Sequence, residues 1–337
     1  SLNFGTERNG TPTPAQTVSV SNAGIGTLNW TAAASADWIS VTPTAGTGAG
    51  VLTIGIARTD LDTGTYAGTV TVTDPNAINS PRTIAVGLNV TAEGADAPPL
   101  GAFDGPADGS AVSSSIPVTG WALDDIGVAS VKIYWGTGLD DRAFIGEAVF
   151  VEGARPDVEA AYPGYPQNGK AGWGYMLLTN FLPLGDGPYT LLAYAVDGGE
   201  NETLLGSRTV NVNNAAAVLP FGALDTPAQG GTASGSAFIN FGWALTPQPK
   251  SMPVNGSTIT VWVDGLPLGH PVYNNYRADI ATLFPGYANT NGAVGYFYLD
   301  TTGYADGMHT IAWSVADSAG AADGIGSRYF TIQNVAG

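Results

Sequence analysis

Neutral-pH chemistry needs bases, nucleophiles or metal ligands, and this 337-residue chain holds few: two histidines, His270 and His309, and no cysteine. Without cysteine, disulfide frameworks, thiolate zinc sites and Cys nucleophiles are excluded. His270 precedes Pro271 in a loop with no His or Cys partner at ligand spacing, and His309 falls in an alternating segment, so both read as structural. Neither a Gly-x-Ser-x-Gly elbow nor a Gly-rich phosphate loop ending in Lys-Ser/Thr occurs, which leaves acyl and phosphoryl transfer unsupported. Carboxylates are plentiful, and glycoside hydrolysis would need a raised-pKa acid and an ionised partner about 5 to 9.5 Å apart. Their contexts read as turns instead. Asp104, Asp108, Asp186, Asp197, Asp264, Asp306 and Asp323 each precede glycine, a turn arrangement in which Asp bonds nearby backbone. Asp124-Asp125 and Asp140-Asp141 are sequence neighbours that, if extended, face opposite sides. As loop carboxylates, Asp124, Asp125, Asp140 and Asp141 are the candidates for Ca²⁺, which takes six to eight oxygens, although no EF-hand spacing surrounds them.

Two charged pairs recur: Arg155/Asp157 and Arg277/Asp279. An Arg fork bonded to its neighbouring Asp or to backbone carbonyls would clamp a long loop onto a scaffold, and that structural clamp is the preferred reading. Arg208 and Arg328, each after Gly-Ser, read as similar scaffolding. Aromatic residues offer the other chemistry. Sugar rings stack their C–H faces on Trp and Tyr while amides and acids bond the hydroxyls. Tyr162, Tyr165 and Trp173 cluster around one Pro-Gly loop, and Tyr273, Tyr276, Tyr287, Tyr296 and Tyr298 around another, making them glycan-binding candidates. Trp30, Trp38, Trp121, Trp243 and Trp313 sit in alternating segments and read as core anchors.

The elements that must position these residues are strands. Gly 47 and Pro 22 with only 12% charged residues make a turn-rich, helix-poor chain, while 44% hydrophobic residues suffice for real cores. The formal charge of −17 repels nucleic-acid phosphates and anionic lipid heads, and no apolar run reaches a membrane-spanning length. Ser1 opens directly into folded-type sequence without a charged and apolar leader, as in a processed or excised piece. Few lysines, an acidic balance and many small polar residues fit an exported bacterial surface protein.

From residue 100 onward the chain repeats itself. Gly101-Ala102-Phe103-Asp104 returns as Gly222-Ala223-Leu224-Asp225, Gly120-Trp121-Ala122-Leu123 as Gly242-Trp243-Ala244-Leu245, and Gly206-Ser207-Arg208 as Gly326-Ser327-Arg328. Alternation at Ile259, Val261 and Val263, and at Val131, Ile133 and Trp135, predicts half-buried strands, with others over 116–121, 143–149, 173–178, 189–196 and 208–212. Residues 157–162 and 279–284 have i, i+3, i+4 apolar spacing before Pro-Gly, which predicts a helical turn with an Asp N-cap. Six or seven strands in each copy suggest an immunoglobulin-like sandwich.

Residues 1–92 form a separate unit, with strands expected over 17–22, 28–34, 38–42, 51–57, 66–74 and 82–92. Gly26-Thr27-Leu28-Asn29-Trp30-Thr31, Ala36-Asp37-Trp38-Ile39-Ser40-Val41-Thr42-Pro43 and Gly64-Thr65-Tyr66-Ala67-Gly68-Thr69-Val70 resemble the BACON family of small immunoglobulin-like modules. That resemblance implies a sandwich and a carbohydrate-binding role. The later repeats resemble bacterial immunoglobulin-like modules through their Gly-Trp-Ala-Leu and Arg-x-Asp signatures. Neither resemblance implies a catalytic residue.

The expectation is therefore an all-β chain of three tandem immunoglobulin-like sandwiches: 1–92, linker 93–99, repeat 100–214, linker 215–219 and repeat 220–337. The function expected is a secreted, non-catalytic surface, adhesive or matrix module working by rigid presentation and protein contact or self-association. The alternatives are a carbohydrate-binding module, or the accessory domains of a larger exported hydrolase. No cofactor is expected beyond Ca²⁺ at the loop carboxylates, and partners are a protein, a second copy or a polysaccharide.

Overall fold

The computed structural model describes residues 1–22, 24 and 26–334; residues 335–337, the expected end of the last repeat, lie outside the described range. Alternating side chains and frequent Gly, Pro and Asp turns lead to an all-β chain in which, among the described residues, the helices are single turns or little more. It divides into two compact units, one of residues 1–110, 117–175 and 189–210, the other of 111–116, 176–188 and 211–337.

In the first unit, a five-stranded sheet runs in the order Leu2–Glu7, Arg82–Thr91, Gly64–Thr73, Asn29–Ala34, Ala45–Thr47. A three-stranded sheet, Gln16–Val20, Gly50–Ile56 and Ile39–Thr42, completes the first sandwich. Phe4, Trp30, Trp38, Leu52, Ile54, Val70, Val86 and Leu88 fill its core. Strand Leu2–Glu7, which sequence reading missed, pairs in parallel with Arg82–Thr91. Further along, Val128–Trp135 lies between Ala143–Phe150 and Gly187–Asp197, and Leu100–Gly105 pairs with the C-terminal half of Ser115–Leu123. Phe103, Val131, Ile133, Trp173, Leu191 and Ala193 are buried there.

The first strand is held against the following repeat. Asn3 Nδ2 donates to Pro163 O (3.0 Å) and to Asn168 Oδ1 (2.9 Å), and Gln167 N donates back to Asn3 O (3.0 Å). Gly5 lies so close to the Asp125 carbonyl and Pro166 that a Cβ would collide with them. These contacts fix the Pro163–Lys170 loop.

In the second unit, Phe221–Leu224, Phe238–Pro247, Val294–Leu299 and Val272–Asn275 make one sheet. Gly231–Ala233, Ala322–Ile332, Gly307–Ala316, Ile259–Val263 and Leu266–Gly269 make the other. Leu224, Val261, Ile311, Trp313 and Phe330 are buried in one core, and Trp313 Nε1 donates to the buried Asn240 Oδ1 at 2.5 Å.

Both expected helical turns are present, at Pro156–Ala161 and Ala278–Leu283, but their capping differs from expectation. Arg155 and Arg277 occupy the N-cap positions, and neither makes a side-chain cap bond. Asp157 and Asp279 lie inside the first turn, where a carboxylate meets the helix's positive end, and each bonds its arginine instead.

Candidate functional site

The Pro-Gly loop after the first helical turn places Tyr162 and Tyr165 side by side, ring centroids 5.5 Å apart at 89°, with Tyr162 also 5.6 Å from Trp121. Both tyrosines are half-buried and line a cavity of about 460 Å³ together with Pro163, Pro166, Asp125 and, from the first sandwich, Thr65 and Asn89. Two aromatic rings, a carboxylate, an amide and a hydroxyl around one concavity suit a small polar ligand that also has apolar faces. Thr65 and Asn89 carry no sequence motif; only the docking of strands Gly64–Thr73 and Arg82–Thr91 beside the loop brings them here.

The other glycan candidates are placed differently. Trp173 is 2% exposed, its ring 5.8 Å from Phe103, and so belongs to the core rather than to a stacking surface. Tyr273 is also buried, and its hydroxyl donates to Ala244 O at 2.6 Å; burial pushes that phenol up to about 12. Tyr287 packs edge-on to Phe221 and accepts a hydrogen bond from Asn180 Nδ2 (2.8 Å). Tyr276 is exposed in a loop. Tyr296 and Tyr298 stand on one sheet face, where register sets Phe241 opposite Tyr296 and Ile239 opposite Tyr298. Ile239, Phe241, Val272 and Tyr298 are exposed there.

Each repeated arginine bridges two carboxylates. Arg155 donates from Nε and Nη2 to Asp157 (2.9 and 2.7 Å) and from Nη1 to Asp104 (2.5 Å). Arg277 holds Asp279 (2.8 Å) and Asp225 (2.5 Å) in the same way. The bond to Arg155 holds the Asp157 carboxyl down at about 2. Arg208 reaches the Phe103 carbonyl, and Arg328 the Leu224 carbonyl at 2.7 Å. The histidines are engaged as scaffolding: His270 Nδ1 meets Ile259 O (2.6 Å), while His309 meets Asp264 (2.7 Å) and Ala305 O (2.8 Å).

The four Ca²⁺ candidates separate into two pairs. Asp141 is spent on its own turn, accepting from Thr137 N, Thr137 Oγ1 and Gly138 N, and Asp140 is exposed beside it. Asp124 and Asp125 lie just past the end of strand Ser115–Leu123, so the opposite-face argument for extended neighbours does not apply to them. Each offers a carboxylate oxygen within 4.8 Å of the other and of one from Asp96 in the preceding linker. Asp197, which ends strand Gly187–Asp197, is a further charged neighbour of this trio, repelling Asp96 and Asp124. Asp96 was not apparent as a candidate in the sequence, and Asp197 looked like one more Asp-Gly turn.

Family comparison bears directly on the first sandwich. Residues 1–85 match the viral BACON domain family. Residues 99–164 match the bacterial Ig domain family. The cavity therefore lies where the BACON module meets the Ig module. No curated protein is detectably similar in sequence. Among solved structures, the fibronectin(III)-like modules of Clostridium thermocellum CbhA are 16% identical, covering 69% of this chain and 94% of that one, with a TM-score of 0.23. The endo-beta-1,4-mannanase of Thermotoga petrophila is also 16% identical over 35% of this chain (TM-score 0.24), and the match spans only 20% of the mannanase. SGBP-B of a Bacteroides ovatus mixed-linkage glucan utilization locus, solved with a mixed-linkage heptasaccharide, is 12% identical over 99% of this chain and 67% of that one, at a TM-score of 0.20.

Proposed function

We propose that the chain is a non-catalytic, exported array of three Ig-like modules that binds a neutral polysaccharide in the cavity between the BACON module and the first Ig module. The observation that carries this reading is the lining of that cavity. Tyr162 and Tyr165 offer rings to the C–H face of a sugar, while Thr65, Asn89 and Asp125 offer donors and acceptors to its hydroxyls. A net charge of −17 disfavours an anionic glycan and leaves a neutral one unopposed. The Arg155 and Arg277 forks act as loop clamps in this reading, holding the helical turn that precedes each Pro-Gly loop.

The test is affinity electrophoresis through gels containing neutral β-glucans, xylans or mannans, followed by calorimetry on any that retard the protein. Retardation is expected with at least one, weakened roughly tenfold or more by Tyr165→Ala, by Asn89→Ala and by Thr65→Val, as losing a stacked ring or a buried polar contact predicts. No retardation by any of them, or binding indifferent to all three substitutions, removes the reading. A second reading, contact with protein, rests on a separate observation, the exposed face of Ile239, Phe241, Val272 and Tyr298.

A further inference from the structure

Acidic clusters are common on protein surfaces, but the trio Asp96, Asp124 and Asp125, with Asp197 near enough to repel Asp96 and Asp124, is largely withdrawn from water. Asp124 is 1% exposed and Asp197 2%. One oxygen of each is committed to its own turn: Asp124 Oδ1 accepts from Ile126 N (2.8 Å) and Gly127 N (2.9 Å), and Asp197 Oδ1 from Gly199 N and Asn201 N (both 2.8 Å). The other oxygen of each, Oδ2, is buried without any hydrogen-bond partner, and so is Asp96 Oδ1. Among the described residues, none of the four carboxylates has a Lys, Arg or His in ion-pair contact. Orphaned buried carboxylate oxygens are costly unless a cation or donor meets them. Asn201 Nδ2 steadies Asp96 Oδ2 (2.7 Å), and Ala97 N donates to Asp125 Oδ1 (3.3 Å), so the linker carboxylate is oriented toward the cluster rather than free in solvent.

The second repeat contains an internal control. By register Asp317 corresponds to Asp197, and it uses Oδ1 in the same way, accepting from Ala319 N (2.9 Å) and Ala321 N (3.0 Å). Its Oδ2, however, is met by the Lys250 ammonium (3.1 Å) and by the hydroxyl of Thr246 (3.1 Å), the residue that stands where the first repeat has Asp124. The same ammonium also donates to the Val218 carbonyl in the linker ahead of that repeat. One copy of the fold thus places a cation between the linker, the end of the Gly-Trp-Ala-Leu strand and the Asp at the end of the later strand. The other copy presents carboxylates at those three places and no ammonium.

We propose that Asp96, Asp124, Asp125 and Asp197 bind one Ca²⁺ ion, which takes the place that the Lys250 ammonium holds in the second repeat and ties the linker to the first. All-oxygen ligation by several carboxylates of flexible geometry suits Ca²⁺, whereas Mg²⁺ demands a tighter octahedron and surrenders its waters reluctantly. Asp125 borders both sites, but Asp96, Asp124 and Asp197 do not line the tyrosine cavity, so substitutions at those three test the ion site separately from glycan binding.

The full chain, stripped with chelator and exchanged into calcium-free buffer, is titrated with Ca²⁺ and separately with Mg²⁺ by calorimetry and by thermal melting. One Ca²⁺ per chain is expected, with a Tm that climbs with Ca²⁺ concentration and a smaller response to Mg²⁺. Asp124→Asn, Asp197→Asn and, in the linker, Asp96→Asn should each weaken Ca²⁺ binding at least tenfold, whereas Asp140→Asn should leave it unchanged. In chelator the Asn variants should melt no lower than the wild-type chain, because each removes a repelling charge; Asp96→Asn keeps the test open if a variant of the buried pair fails to fold. A wild-type chain giving neither heat nor Tm shift with Ca²⁺ overturns the proposal, as does Asp140→Asn losing as much affinity as Asp124→Asn.

Discussion

At the scale of single residues, the unpaired acids set a measurable pH dependence. Burial, reinforced by repulsion from Asp124 and Asp197, pushes the Asp96 carboxyl up to about 7. Burial likewise carries Asp124 to about 6, against the pull of the Ile126 N–H and with Asp125 and Asp197 adding repulsion. A carboxyl whose folded pKa lies above its unfolded value, about 3.9 for Asp, keeps in the native state a proton that the unfolded chain has released. Its contribution is fully present below about pH 4 and is lost as pH rises through the folded value. The chelated protein should therefore lose Tm between about pH 4 and 7, and Asp124→Asn should flatten that decline. A difference in Tm between the two proteins that stays constant across the range would show that Asp124 does not titrate there. The sequence marked Asp124 and Asp125 as metal candidates on residue type alone. It marked Asp140 and Asp141 equally, since nothing in a dipeptide reveals that Asp141 is consumed by Thr137 and Gly138. The tyrosines divide for the same reason: Tyr165 and Tyr273 are alike in the sequence, and only packing makes one a cavity wall and the other a core side chain.

At the scale of elements, the Gly-Trp-Ala-Leu signature has a steric explanation. A Cβ on Gly120 would collide with the Ala102 carbonyl and the Trp173 ring. In the second repeat a Cβ on Gly242 would press on Trp313 and on the Ala223 carbonyl, each at 3.0 Å. The glycine lets a neighbouring strand and an indole close over it. Gly120→Ala should therefore cost about 2–4 kcal/mol, as overpacking against backbone does, while Gly286→Ala, with nothing within 4 Å, should stay near neutral. Denaturant melts of the two variants decide it, and equal midpoints would discard the explanation. Most strands were legible because alternation is a local signal, as in Ile259–Val263, where buried and half-buried residues alternate along the strand. Leu2–Glu7 was not, because its partner lies some eighty residues away and pairs in parallel, with no hairpin turn to announce it. The helical turns were legible from their apolar spacing, but the N-cap assignment failed because an arginine two residues earlier captures the Asp side chain.

At the scale of the whole molecule, charge and exposed apolar surface act in opposite directions. A net charge of −17 keeps copies of the chain apart at low ionic strength, and salt screens that repulsion over about 8–10 Å near physiological strength. If the face of Ile239, Phe241, Val272 and Tyr298 is a protein-contact surface, sedimentation should show self-association that grows as salt is raised to about 0.5 M. Phe241→Ser or Tyr298→Ser should abolish it. A chain that stays monomeric throughout removes self-association through this face.

What the sequence determined by itself was what local information can carry: an all-β class from period-two alternation and turn residues, a duplicated module from self-similarity, and the BACON resemblance from its Trp and Gly-Thr-Tyr motifs. Tertiary structure alone decided which of many similar aspartates and tyrosines meet. Asp96 and Asp197 lie about a hundred residues apart in the chain, and Asn89 and Tyr165 more than seventy, so no spacing rule links them. Their proximity follows from strand order and module docking, and it is that proximity, through burial and unshared charge, that gives otherwise ordinary side chains a capacity to bind.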